Sequence, residues 1–143
     1  NPARRRRLND LETTMRNRVL IVEDQPDIRK LIWMTLEFGD YELHEAENGD
    51  DGWRKAQAFR PHVMLLDVMM PGSMDGLQVC AKIKSDPALR DIRIIMLTAR
   101  GQKTDIEAGM AAGADAYLIK PFSPLELMDR VEQFLSAPDR RAA

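Results

Sequence analysis

The sequence predicts an α/β protein built on one parallel sheet of five strands, doubly wound with helices on both faces. Three observations predict it. Short apolar, β-branched runs alternate with amphipathic patterns in the order βαβαβαβαβα. The segments between strands are long enough for crossover helices, which join parallel strands by right-handed connections. The chain has 143 residues, the size of one domain around one core.

Arg18–Glu23 (RVLIVE) is apolar and β-branched, as a buried strand should be. Pro26 suits the first position of a helix. Ile28, Leu31, Ile32, Thr35 and Leu36 then recur at helical spacing up to Phe38, with Gly39 as the stop. Tyr41–Glu47 (YELHEAE) alternates and reads as a half-exposed strand. Asn48-Gly49 opens a second helix, which passes through Trp53, Ala56 and Phe59 to a break at Pro61. His62–Asp67 is a second buried strand. A helix from about Met74 to Ser85 places Leu77, Cys80, Ala81 and Lys84 along one stripe, with Val79 and Ile83 beside it, and Asp86-Pro87 breaks it. Ile92–Thr98 (IRIIMLT) is a third buried strand. Lys103–Ala112 is a small alanine-rich helix closed by Gly113, and Asp115–Lys120 (DAYLIK) is the last strand. Ser123-Pro124-Leu125-Glu126 reads as a capping box with proline at the first helical position. Leu127, Val131, Phe134 and Leu135 form the stripe of that last helix, and Pro138 ends it.

Composition narrows the function. The chain is 44% hydrophobic and 31% charged, an ordinary globular balance. Its apolar runs are too short to span a bilayer, and no export leader is visible, so a cytoplasmic location is expected. A single cysteine, Cys80, excludes an internal disulfide framework. Residues 1–17 carry five Arg against two acids, whereas residues 18–136 carry 14 Lys and Arg against 20 acids. An acidic body argues against nucleic acid as the main ligand. The Arg4–Arg7 run reads as a solvated end. The chain therefore divides into a basic N-terminal extension or linker (1–17), a folded domain (18–136) and a short C-terminal tail (137–143).

In a doubly wound sheet, ligands bind beyond the carboxyl ends of the strands. Those ends carry Glu23-Asp24, Asp67, Thr98 and Lys120, the last followed by Pro121. Three carboxylates together repel, and a hard divalent cation such as Mg²⁺ would relieve that. Thr98 can donate a hydrogen bond to a phosphoryl oxygen, and Lys120 can neutralise one. A carboxylate flanked by a metal and a lysine can act as a nucleophile toward phosphorus.

With LIVED (20–24), MLLDVMMPG (64–72), IIMLTA (94–99) and YLIKPF (117–122) in order, each at a strand end, the chain resembles the response-regulator receiver domain of two-component signalling over residues 18–136. That resemblance implies the flavodoxin-like strand order 2-1-3-4-5. It implies that Asp67 accepts a phosphoryl group from a sensor histidine kinase or phosphotransfer protein. It makes Asp24 a direct Mg²⁺ ligand, Glu23 an acid acting through water, and the Met69 carbonyl the last protein oxygen of the metal site. Thr98 becomes the switch hydroxyl, Tyr117 the aromatic that moves with it, and Lys120 the phosphate-binding lysine aimed by a cis peptide before Pro121. Ala99 leaves room for a backbone N–H at the phosphate, and Arg100 would screen or contact it. Phosphorylation would reshape the face of helix 4, strand 5 and helix 5 and so control an effector, an output domain or a homodimer.

One departure stands out. Gly72-Ser73-Met74 looks one residue longer than the family's usual spacing, which would let the loop bulge and bring Ser73 near the mouth of the site. Three rival readings compete with this one. A pseudo-receiver would bind partners without phosphorylation, against which the complete acceptor set argues. An aspartate-nucleophile phosphohydrolase would need a second acid two residues after Asp67, where Met69 stands, so the domain is expected to be a signalling receiver and not an enzyme. A flavodoxin-type cofactor binder would need a Ser/Thr/Gly-rich phosphate loop where EDQPD stands. The remaining residues read as structural: nine Met as core filler, His44 and His62 as structural or surface residues, and Cys80 as inert packing.

Overall fold

Along the first strand, β1 (Asn17–Val22), successive side chains go to opposite faces. Val19 and Ile21 enter one core, Leu20 and Val22 the other, and all four are fully buried. The structure, a computed structural model, describes residues 17–135. The basic segment with Arg4–Arg7 and the tail 137–143 lie outside the described residues.

After β1 come α1 (Pro26–Leu36), β2 (Tyr41–Ala46), α2 (Gly49–Phe59), β3 (Val63–Asp67), α3 (Gly76–Ser85), β4 (Arg93–Ala99), α4 (Lys103–Ala111), β5 (Ala116–Lys120) and α5 (Pro124–Leu135). The strands form one parallel five-stranded sheet in the order β2-β1-β3-β4-β5, the expected flavodoxin-like arrangement. The alternation seen in β1 continues across the sheet. Met64, Leu66, Ile94 and Met96 meet Ala56 of α2 and Val79, Cys80 and Ile83 of α3 on one side. Val63, Leu65, Ile95 and Leu97 meet Ile32 and Leu36 of α1 and Leu127 and Val131 of α5 on the other.

Boundaries shift by one or two residues from the sequence reading, as fraying ends do. Two differences have physical causes. The buried stripe of α3 is Val79, Cys80 and Ile83, while Ala81 is exposed. The helix begins at Gly76 and not near Met74, because Asp75 caps it: the Asp75 carboxylate accepts from the Gln78 amide, and the Gln78 side chain returns to the Asp75 amide. At the start of α5, Ser123 Oγ accepts from the Glu126 amide at 3.1 Å, which is the forward bond of the expected box. Methionine is not uniformly core filler. Met64, Met70 and Met96 are buried, but Met34, Met69 and Met110 are exposed. His62 Nδ1 accepts from the Arg18 amide, His44 stacks on Phe59, and Cys80 is buried with its thiol pushed up to about 11 by desolvation, so all three are structural.

Candidate functional site

The carboxyl ends of β1 and β3 are neighbours in the sheet, Val22 standing opposite Leu66. The residues that follow are thereby forced together. Glu23, Asp24 and Asp67 each offer a carboxylate oxygen, and these oxygens lie within 4.8 Å of one another. Glu23 is 0% exposed and Asp67 5%, while Asp24 sits at the rim. The fully buried run Val63–Leu66 fixes where the strand ends.

Lys120 reaches the cluster from the end of β5. Its Nζ is 2.5 Å from Glu23 Oε1 and 3.4 Å from Asp67 Oδ1. The peptide between Lys120 and Pro121 is cis. The Met69 amide donates to Asp67 Oδ1 at 3.3 Å. Thr98, on β4, is 2% exposed, and its hydroxyl has no hydrogen-bond partner among the described residues; the Glu23 oxygens likewise lack a donor in hydrogen-bonding geometry there and rely on the Lys120 charge. Buried polar atoms left this way mark a place where a further group is accommodated.

Electrostatics follows from the crowding. Asp67 is pushed up to about 8, first by burial and then by the Glu23 carboxylate, with Lys120 acting in the opposite sense. Asp24 falls below the usual carboxylate range. Its partial burial pulls upward, but hydrogen bonding with the Asp67 carboxyl, its own backbone amide and the Lys120 charge outweigh that. Such a set of crowded carboxyl groups suits a hard divalent cation, whose charge offsets theirs.

A cavity of about 460 Å³ opens over these groups. Asp24, Gln25, Asp67, Thr98 and Lys120 supply its polar side, and Ile28, Leu31, Met69, Leu97, Ala99, Pro121 and Phe122 its apolar one. The structure therefore brings together Glu23, Asp24, Asp67, Met69, Thr98, Ala99 and Lys120. Arg100 is exposed and is not among the residues that line the cavity. Tyr117 is 39% exposed on the outer side of β5, opposite the buried Leu118. Ser73 does not turn to the mouth of the site: its hydroxyl donates to both oxygens of Asp50, at 2.7 and 2.8 Å, and so ties the longer loop to the start of α2.

Sequence reasoning missed two further contributors. Gly76 lies so close to the backbone of β3 that an added Cβ would be 2.0 Å from the Asp67 carbonyl oxygen. Arg29 donates from Nη1 to the Glu23 carbonyl at 2.8 Å. The D-x-x-Q spacing of Asp75 and Gln78 would have located the first, as a helix start. No local pattern marks a side chain whose partner is a main-chain carbonyl.

Comparison with known proteins agrees with this geometry. Residues 19–132 match the family described as the response regulator receiver domain. Transcriptional regulatory protein ResD of Bacillus subtilis (strain 168) is 42% identical over 125 residues, which is 87% of this chain and 50% of that protein. Transcriptional regulatory protein SrrA of Staphylococcus aureus (strain NCTC 8325 / PS 47) is 43% identical over 121 residues, 85% of this chain and 48% of SrrA. The chain thus spans about half the length of these relatives. Among solved structures, the signal receiver domain of a signal transduction histidine kinase from Syntrophus aciditrophicus superposes with a TM-score of 0.80 at 33% identity, covering 87% of this chain and 93% of that one. Chemotaxis response regulator CheY4 of Vibrio cholerae superposes with a TM-score of 0.77 at 31% identity, covering 84% and 99%. With fold, strand order and the acidic strand ends all in agreement, the chain belongs to the response regulator receiver domain family.

Proposed function

We propose that this domain is the phosphoacceptor of a two-component phosphorelay, with Asp67 as the acceptor. The observation that carries the reading is the buried Asp67 carboxyl, within 4.8 Å of two other acids and 3.4 Å from Lys120, under a cavity lined also by Thr98, whose buried hydroxyl is unbonded among the described residues. A carboxylate oxygen of Asp67 forms a bond to phosphorus while the bond from phosphorus to the partner's histidine nitrogen breaks, leaving an acyl phosphate. Glu23, Asp24, Asp67 and the Met69 carbonyl would hold Mg²⁺. When bound, the ion spreads the charge that develops on the transferring phosphoryl group. Lys120 then moves its charge from the carboxylates to the phosphate, and Thr98 supplies the hydroxyl that Glu23 and its neighbours leave unbonded. Ala99, exposed and small, keeps the backbone there accessible.

The donor is a sensor histidine kinase or phosphotransfer protein, and the receiver passes its state to an effector, an output domain or a second copy through the face of α4, β5 and α5. It is a signalling domain whose own chemistry is limited to slow phosphotransfer and dephosphorylation. A cytoplasmic location belongs to the same reading; no helix among the described residues is long and apolar enough to cross a membrane.

The test is incorporation of label from a small phosphodonor with Mg²⁺ present. Wild type should incorporate phosphate, and Asp67→Asn should not. Absence of incorporation in the wild type would favour the pseudo-receiver instead.

A further inference from the structure

β1 ends at Val22, yet the ladder continues for one more bond: the Glu23 amide donates to the Ala46 carbonyl at 3.1 Å. On the other side of the same residue, the ladder has run out. There the Arg29 guanidinium donates to the Glu23 carbonyl at 2.8 Å. That carbonyl belongs to the peptide unit joining Glu23 to Asp24. Peptide units are planar, so a bond that fixes this one fixes the base from which both acids project. Arg29 is itself held. Its backbone amide makes an early bond of α1, to the Gln25 carbonyl at 3.0 Å, its Nε lies 3.8 Å from Glu45 Oε2 on β2, and its side chain is only 16% exposed.

We propose that Arg29 is a positioning residue for the acidic site. Its guanidinium locks the Glu23–Asp24 peptide through the Glu23 carbonyl, so that a divalent cation meets the two carboxylates already aligned. Outer partners of this kind orient ligands and tune affinity without touching the ion. A lysine could offer a donor to the carbonyl but not a planar fork that also faces Glu45. The inference rests on the metal reading above and adds a residue to it.

The experiment is calorimetric titration of Mg²⁺ into the full chain, for the wild type, Arg29→Ala and Arg29→Lys, beside thermal unfolding of each in a chelator. Arg29→Ala should weaken Mg²⁺ binding by about tenfold or more. Arg29→Lys should fall between the two. A structural role alone would lower the unfolding midpoint and leave the affinity of the folded protein unchanged, and that result overturns the proposal. Should the alanine variant fail to fold, wild-type affinity in Arg29→Lys overturns it equally. If the wild type itself binds no Mg²⁺, the metal reading and this inference fall together, an outcome distinct from equal binding by all variants.

Discussion

Asp67 carries a proton through neutral pH when no cation neutralises the cluster, because its carboxyl is pushed up to about 8. An acid whose value is raised by folding binds more protons in the native state than in the unfolded one. Its contribution to stability is then full below the unfolded value near 4 and is lost as pH rises through the folded value. In a chelator, the protein should therefore become less stable from mildly acid pH toward pH values above 8. Asp67→Asn removes the titration and the repulsion together. Its unfolding free energy should exceed that of the wild type by roughly 1–3 kcal/mol at the alkaline end and converge with it near the acid end. A parallel offset at all pH values would show that Asp67 is not the group responsible. The same residue shows what sequence can convey. Asp67, Asp24, Thr98 and Lys120 were legible because each is pinned by an apolar run to the end of a buried strand. Arg29 was not, because its role depends on a carbonyl that the strand order leaves over.

At the scale of the element, the turn between β3 and α3 decides whether Asp67 stays where the strand puts it. Gly76 permits the helix to approach within a distance no side chain would tolerate, and its amide donates to the Val68 carbonyl at 3.0 Å. Gly76→Ala must push either the helix or the Asp67 backbone aside, at an expected cost of about 2–4 kcal/mol, with weakened phosphate incorporation in whatever remains folded. The other end of the loop behaves differently. The Ser73–Asp50 hydrogen bonds are exposed, so Ser73→Ala should cost no more than about 0.5–1 kcal/mol and leave incorporation unchanged. Loss of incorporation in Ser73→Ala would mean that the longer loop acts on the site after all. The loop's extra length was visible in the sequence; its direction was not, since that is set by Asp50 on a different element. Lys84 is a similar case. Helical spacing placed it on the stripe of α3, but its ammonium is bound by Asp115 at 2.9 Å and by the Ile92 carbonyl at 2.6 Å. With both side chains of the pair about one-sixth exposed, Lys84→Met leaves Asp115 with only Arg93 as a cationic partner and should cost roughly 2–4 kcal/mol, measured by denaturant unfolding.

For the molecule as a whole, the sheet was readable because parallel strands buried on both faces leave unbroken apolar runs, and the crossovers fix their direction. The exposed face of β5 was less so: β5 is an edge strand, and only Ala116 and Leu118 of its apolar residues are buried. That edge is where a switch has the least to overcome. Gly109 is the only buried residue of α4, whereas α3 buries Gly76, Val79, Cys80 and Ile83. An element with so little apolar anchorage opens and shifts at low cost. Beside it, Met110, Tyr117 and Ile119 are 45%, 39% and 41% exposed, apolar area on the face proposed above to carry the signal. Thr98 connects the two ends of this arrangement, since it lines the cavity over Asp67 and stands opposite Ile119 in the sheet. If its unbonded hydroxyl is drawn to a phosphoryl group, the end of β4 moves with it, and the weakly held α4 follows. Loading with a small phosphodonor and Mg²⁺ should then alter amide exchange in β4, α4 and β5 while leaving β1 and β3 protected. Thr98→Ala should still incorporate phosphate at Asp67 but lose that change, which separates transmission from chemistry. A loaded Thr98→Ala protein with the wild-type exchange pattern would show that the signal leaves the site by another route, the apolar rim of Ile28, Leu31 and Phe122 being the alternative the cavity offers.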